Sequence, residues 1–233
     1  MLVKNLLKVL SGVSLLAFLM GCSSEPGDGI GSVDLSQYMP KASMTKVFDE
    51  YDQWPGDGSE ENRTSTEVIT VSDVNGSTVI VATHDGREIS RNVINENNIT
   101  SLSGWIDTVT DRYIDLGDMY YDYHTHVDDM DANMTYQCTL EANLTHFEMH
   151  DHNYSGDIYK NKCVMSFKDI PTGDEMHDSY SIIYSYVEKD IGLIAEIGDH
   201  CYPYDGLSLT DDRNLSDCPD DKKGHSYRFL NAH

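Results

Sequence analysis

From Val68 onward, apolar and polar residues alternate with a period of two, the pattern of a strand with one face against a core. Residues 68–71 and 78–81 flank Asp73-Val74-Asn75-Gly76, and an Asn-Gly pair between two alternating runs predicts a tight hairpin. His84-Asp85-Gly86-Arg87 opens a second turn ahead of a strand over 89–94. Further strands are expected over 113–116, 119–127, 134–140, 144–152, 158–167, 180–187 and 192–197, with an edge over 226–230. No stretch of ten or more residues keeps an apolar face at i, i+3, i+4 and i+7, and only a turn or two of helix is expected within 37–51. Turn signals about every 8–12 residues argue against βαβ units. The predicted fold is mainly β: one antiparallel, strongly curved sheet, or an open or half barrel, with little helix. No internal repeat is visible.

Residues 1–21 do not belong to that domain. Lys4 and Lys8 precede an apolar run that ends Leu15-Leu16-Ala17-Phe18-Leu19-Met20, too short for a stop-transfer helix and proportioned like a secretory signal. Leu19-Met20-Gly21-Cys22 resembles the bacterial lipobox. That resemblance implies cleavage before Cys22, acylation of its sulfur and amine, and stable anchoring by two or three acyl chains. Ser23 in place of Asp resembles lipoproteins sent to the outer membrane. Residues 22–37 are rich in Gly, Ser and acid, which reads as a flexible tether, and 38–233 as one β domain facing water.

The chain has 233 residues with 16 Lys+Arg against 40 Asp+Glu, a net charge of −24, and both leader lysines would be removed with the signal. Such a surface repels phosphates, which excludes nucleic acid and anionic headgroups as partners. Fifteen Tyr against five Phe and two Trp suit half-buried strands. Cys138, Cys163, Cys201 and Cys218 remain after the leader, without a Cys-x-x-Cys spacing. In an exported chain they predict two disulfides, and of the three pairings Cys138–Cys163 and Cys201–Cys218 are expected because they close the shortest loops.

Tyr184-Ser185-Tyr186 followed by Lys189-Asp190-Ile191-Gly192-Leu193-Ile194-Ala195-Glu196 resembles a late hairpin found in a set of poorly characterised bacterial lipoproteins. Cys138-Thr139-Leu140, Tyr159 and Cys163-Val164 are similar to the strand pair before it, so the resemblance spans about Tyr136 to Tyr202. It implies a highly curved antiparallel sheet, distantly similar to the half barrels of LolA/LolB-type lipoprotein carriers, whose closing helices this sequence lacks.

Three constellations carry candidate chemistry. Ser43-Met44-Thr45-Lys46 resembles the Ser-x-x-Lys nucleophile of penicillin-binding proteins, though only Ser90-Arg91-Asn92 echoes the companion motifs. His124 and His126 would share one strand face, as would His146, Glu148, His150 and His152, a donor set able to hold a transition metal. The plainer reading makes these histidines the solvated side of a one-sided sheet, with Tyr121, Tyr123 and Val127 opposite. Acidic runs at Asp128-Asp129-Met130-Asp131 and Asp217-Cys218-Pro219-Asp220-Asp221 lack the spacing of a calcium loop and read as solvated turns.

The most specific signal is covalent. Seven Asn head Asn-x-Ser/Thr: Asn62, Asn75, Asn98, Asn133, Asn143, Asn153 and Asn214. Two residues before each stands an acid: Glu60, Asp73, Glu96, Asp131, Glu141, Asp151 and Asp212. Random placement gives about two sequons, and acid before all seven has a chance of roughly one in 10⁵, so coincidence is rejected. The pattern resembles the extended sequon of bacterial oligosaccharyltransferases, which would act on the chain during maturation. Asn75, Asn98, Asn214 and Asn62 are expected in exposed segments. Asn143 shares strand parity with Phe147 and Met149, and is expected to stay bare unless a bulge re-aims it. Together these features predict a glycosylated, outer-membrane-anchored lipoprotein with a non-catalytic binding or envelope role and no resident cofactor. The alternatives are a periplasmic metal-binding protein using the His rows, and a Ser-x-x-Lys acyl-transfer enzyme.

Overall fold

Asn75 (φ 52°) and Gly76 (φ 85°) adopt left-handed backbone, which closes a two-residue hairpin between β3 (Glu60–Val74) and β4 (Ser77–His84). Asp85 (φ 50°) and Gly86 (φ 74°) repeat the device between β4 and β5 (Arg87–Ile94). With β2 (Met44–Gln53) before them and β6 (Asn98–Ser103) and β7 (Ile106–Asp111) after, these strands form one antiparallel meander. A second meander runs through β9 (Met119–Val127), β10 (Ala132–Met149), β11 (His152–Thr172), β12 (Glu175–Glu188), β13 (Gly192–Cys201) and β14 (Lys223–Ala232). β14 pairs with β2, from His225 opposite Gln53 to Ala232 opposite Val47, and joins the two meanders into one 12-stranded antiparallel sheet. The sheet curls into a nearly closed barrel. Its edge strands are β7 and β9, and the Tyr121 hydroxyl of β9 donates to Ser101 Oγ of β6 at 2.9 Å across the remaining gap. This computed structural model describes residues 32–55, 60–103, 106–127, 132–172, 175–202 and 215–232. The leader, Cys22, Asp131, Asp212 and Asn214 lie outside the described residues.

The expected curved antiparallel architecture is therefore present, and two local expectations are corrected. Residues 44–53 form strand β2, not helix, and the only helical geometry nearby is a 3-10 turn over Leu35–Tyr38. β2 turns Lys46, Phe48 and Asp52 inward, and charges on a core face erase the apolar alternation that marks a strand. The tether boundary also moves, because residues 33–37 belong to the fold. β1 (Val33–Asp34) pairs with β8 (Tyr113–Ile114), and Val33, Leu35 and Tyr38 are buried among Ile69, Ile99, Met134 and Tyr159. Asp34 clamps Arg112 through two hydrogen bonds of 2.8 Å, while the Asp190 amide donates to Gln37 O. The segment thus crosses one end of the sheet, from β8 to the β12–β13 turn. Gly192 in that turn needs its φ of 84°, and a Cβ there would sit 2.9 Å from Pro40.

β10 and β11 outrun their neighbours. The pairing of β10 with β9 ends at Thr139 opposite Met119, and that of β11 with β12 at Ile158 opposite Glu188. Beyond those points the two strands pair only with each other, interrupted by bulges at Leu140/Ala142 and Leu144/His146 that bend the ribbon. The tip folds over the outer face of the sheet, where Phe147 stacks on Tyr186 and the Tyr154 hydroxyl donates to Leu230 O at 2.8 Å. A second apolar cluster forms there, joining Leu144, Phe147 and Tyr154 to Tyr186, Ala195 and Phe229. Elsewhere the outer face mixes exposed Glu88, Asp107, Asp111, Asp122 and His124 with exposed Val68, Leu102 and Val109.

Both expected disulfides are present. Cys138 and Cys163 are direct register partners on β10 and β11, and Cys201–Cys218 ties the end of β13 to the short turn preceding β14. They close separations of 25 and 17 residues, for which chain entropy gives about 3 kcal/mol each. Denaturant unfolding of the C201S/C218S double variant should show that loss relative to the oxidised wild type. An unchanged midpoint would mean that the β13–β14 connection is held without the bond.

Candidate functional site

Period two sends alternate residues of β2 and β14 to opposite sides of the sheet, and the two sides have different chemistry. Inward, Arg228 lies opposite Glu50, and its Nε is 2.9 Å from Glu50 Oε1. Arg228 Nη2 also donates to Glu67 on β3, and its guanidinium covers the Phe48 ring at 3.8 Å. Arg63 approaches the other Glu50 oxygen at 2.6 Å and Asp52 at 2.9 Å. Burial alone would raise Glu50, but Arg228, the Ser65 hydroxyl and Arg63 hold its carboxyl below the usual range. Asp52 is raised, because its burial and the charge of Glu50 outweigh Arg63. Lys46 donates to Leu193 O at 2.9 Å, and burial pushes its ammonium down to about 7 in spite of nearby Glu67.

Outward, the same strands build an aromatic surface. Tyr51 is the register partner of Tyr227, with ring centroids 5.6 Å apart, and Asp49 is the partner of Phe229. The rings of Tyr227 and Phe229 are 6.3 Å apart and inclined by 10°. The tip of the β10–β11 hairpin supplies the second wall. His150 meets Tyr227 and Phe229 edge-on at 5.2 and 5.5 Å, and His152 stacks on Phe229 at 4.8 Å. Between the walls lies an open cleft of about 510 Å³, lined also by Glu50, Gln53, Asn62 and Asp151. That size falls within the range of small-ligand sites, about 300–1,000 Å³.

The hairpin tip turns tightly at His150-Asp151, between paired Met149 and His152. His150 has φ 52°. The other non-glycine residues with positive φ among those described are Asn75, Asp85 and Asp190, types that tolerate this conformation. Histidine, like Asn and Asp, is among the residue types enriched in this region. The turn conformation places the His150 ring on Tyr227 and Phe229.

The turn also corrects the expected His row. His146 and Glu148 are on β10, His150 is in the turn and His152 begins β11, so the four do not share one strand face. His124 and His126 are exposed on β9, and His124 is engaged by Asp122 at 2.8 Å and by Thr135. Among the described residues no group of three or more His, Cys, Asp or Glu is arranged to hold a metal ion. The Ser-x-x-Lys resemblance separates as well. Ser43 is exposed and its Oγ accepts from the Val71 amide, whereas Lys46 is buried on β2. The motif needs one turn of helix to bring the two together, and a strand does not provide it.

Of the sequon residues, Asn62, Asn75, Asn133, Asn143 and Asn153 are exposed. Asn143 reverses its expectation: the bulge between Leu144 and His146 shifts parity, so Phe147 and Met149 turn to the sheet while Asn143 faces solvent. Asn98 is half-buried, with its side-chain oxygen accepting from Asn95 Nδ2 at 2.9 Å. Compared with family models, curated proteins and solved structures, the chain matches none of them. What defines it is a barrel-like antiparallel sheet with a charged inner seam and an aromatic outer cleft.

Two measurements test the inner charges. Replacing Arg228 with Met leaves Glu50 and Glu67 without their shared cation and should cost about 3–5 kcal/mol in denaturant unfolding. Folded Lys46 loses its proton near pH 7, whereas an unfolded lysine keeps it to about 10.5, so unfolding takes up a proton in that window. Stability should therefore rise with pH from 7 toward 10 more steeply in the wild type than in K46M. Parallel curves would place a charged Lys46 in the folded protein.

Proposed function

We propose that the protein is an exported, lipid-anchored and N-glycosylated envelope protein with a non-catalytic binding role. Its signal-like leader, Cys22 in a lipobox and Ser23 after it support an outer-membrane anchor, with the β domain held in water by the segment before Val33. The observation that carries the glycosylation reading is geometric. In five extended sequons the acid and its Asn are both described, and Glu60, Asp73, Glu96, Glu141 and Asp151 are all exposed. In the strand segment around Asn62, a separation of two puts acid and amide on the same outer side, the extended presentation that an enzyme reading the −2 acid requires, while around Asn143 the bulge at Leu140/Ala142 falls on Glu141 and leaves acid and amide both exposed. Glycan is bulky and solubilising, and on this acidic domain it would shield the outer face; Asn62 lines the cleft between β2, β14 and the hairpin tip, so that cleft meets a ligand in chains whose Asn62 is bare. The resemblance of the β12–β13 hairpin to bacterial lipoproteins supports the same placement.

The Cys22→Ser variant is expected to lose detergent-phase partitioning while keeping its circular dichroism spectrum. Its full retention in the detergent phase would remove the anchor. Glycopeptide mass spectrometry on protein from its native host should find glycan on Asn75, Asn143 and Asn153, with Asn98 at the lowest occupancy among the described sites. Replacing Glu141 with Ala should abolish modification of Asn143. Bare Asn75, Asn143 and Asn153 would defeat the glycoprotein reading, and modification that survives the loss of Glu141 would show that another kind of enzyme reads the site.

A further inference from the structure

Resting on the reading of the cleft as the binding face, we propose that it takes a small organic cation of the alkylammonium type, held against Tyr51 and Tyr227 and neutralised by Asp49 and Asp151. The lining decides the sign of the charge. Among the described residues no Lys or Arg lines the cleft, whereas Asp49, Glu50 and Asp151 do. Glu50 is committed inward to Arg228 and Arg63, which leaves Asp151 and Asp49, whose Oδ1 also accepts from the Thr64 hydroxyl at 3.4 Å, to meet a ligand. Asp49 is 3.9 Å from His152 Nε2 and its side chain is 44% exposed, so it keeps oxygen surface toward the cleft. Glu60 accepts from the Tyr51 hydroxyl and adds negative potential at the rim.

The lining also decides the chemical class. Aromatic faces carry negative quadrupole density, and an ammonium beside Tyr rings with a carboxylate in reach is attracted by both. Phe229 is buried beneath the two imidazoles, whereas Tyr51 and Tyr227, the latter met edge-on by His150, are only half-buried and keep ring surface for a ligand. A simple anion is repelled by these carboxylates and by the whole chain's charge of −24, which raises the local concentration of cations instead. A neutral sugar could stack on the rings but would form no ion pair with Asp49 and Asp151. The rings of His150 and His152 pack on Tyr227 and Phe229, which holds that wall of the cleft against the sheet.

The test is calorimetric titration of the full lipidated protein, purified in a polyoxyethylene-ether detergent that contributes neither sugar nor charge. Choline and N-acetylglucosamine are the probes. Saturable choline binding is expected, weakening as salt is raised, with no comparable heat from the sugar. D49N and Y227L should each weaken choline binding about five- to tenfold, the range of one cation–π or ion-pair contact. D49N keeps side-chain shape, so its result stands even if Y227L fails to fold. No choline binding by the wild type, equal binding of the sugar, or unchanged affinity in D49N would overturn the proposal. Partitioning and glycopeptide mass are read on the same preparation. Loss of those two with choline binding intact would sink the envelope reading and leave the ligand assignment standing.

Discussion

The architecture depends on one long-range pairing, β2 with β14. Each meander is built from neighbouring hairpins that form locally, but neither half alone covers the inner face of its strands. The β2–β14 ladder joins residues 44–53 to the last strand of the chain, and Arg228 crosses it to Glu50 and on to Glu67 in β3. Burying these charges costs several kcal/mol of lost hydration, recovered only when every partner is in place. The array therefore contributes register more than net stability. A slip of one residue would turn Arg228 outward and leave three carboxylates buried together.

That same ladder produces the cleft. Because side chains alternate, fixing Arg228 and Glu50 inward fixes Tyr227, Phe229, Asp49 and Tyr51 outward. The β10–β11 hairpin, too long for its neighbours, has apolar surface at its tip that only the outer face of the sheet can cover. Its bulges give it the curvature to reach there, and the Tyr154 bond to Leu230 secures it beside the seam. The inner charges and the outer aromatic cleft are thus two sides of one strand pair.

Much of the fold was legible locally. Asn75-Gly76 and Asp85-Gly86 name turns whose dihedral angles only such residues adopt easily, and the four cysteines pair as their spacing suggests. β2 was hidden, because Lys46, Glu50 and Asp52 occupy the positions where a strand usually shows apolar residues. β6 and β7 were hidden for a related reason, since Ser101, Thr108 and Thr110 face inward as small polar groups. The His row misled because alternation continues through a hairpin turn in the letters while the chain reverses direction in space. Asn143 misled through parity, which a single bulge inverts.

The sequence by itself determined what depends on short stretches of chain: the turn chemistry, the seven acid-preceded Asn-x-Ser/Thr motifs and the antiparallel class. Each is set by a few adjacent residues that need no distant partner. The tertiary structure alone decided which charges are buried, where the hairpin tip lands, and that Tyr51, His150 and Tyr227 line one cleft. Those residues come from three separate parts of the chain, and what brings them together is strand register and the burial of one hairpin's apolar tip. Both are properties of the whole sheet, since every ladder must be satisfied at once before any of these side chains has a neighbour.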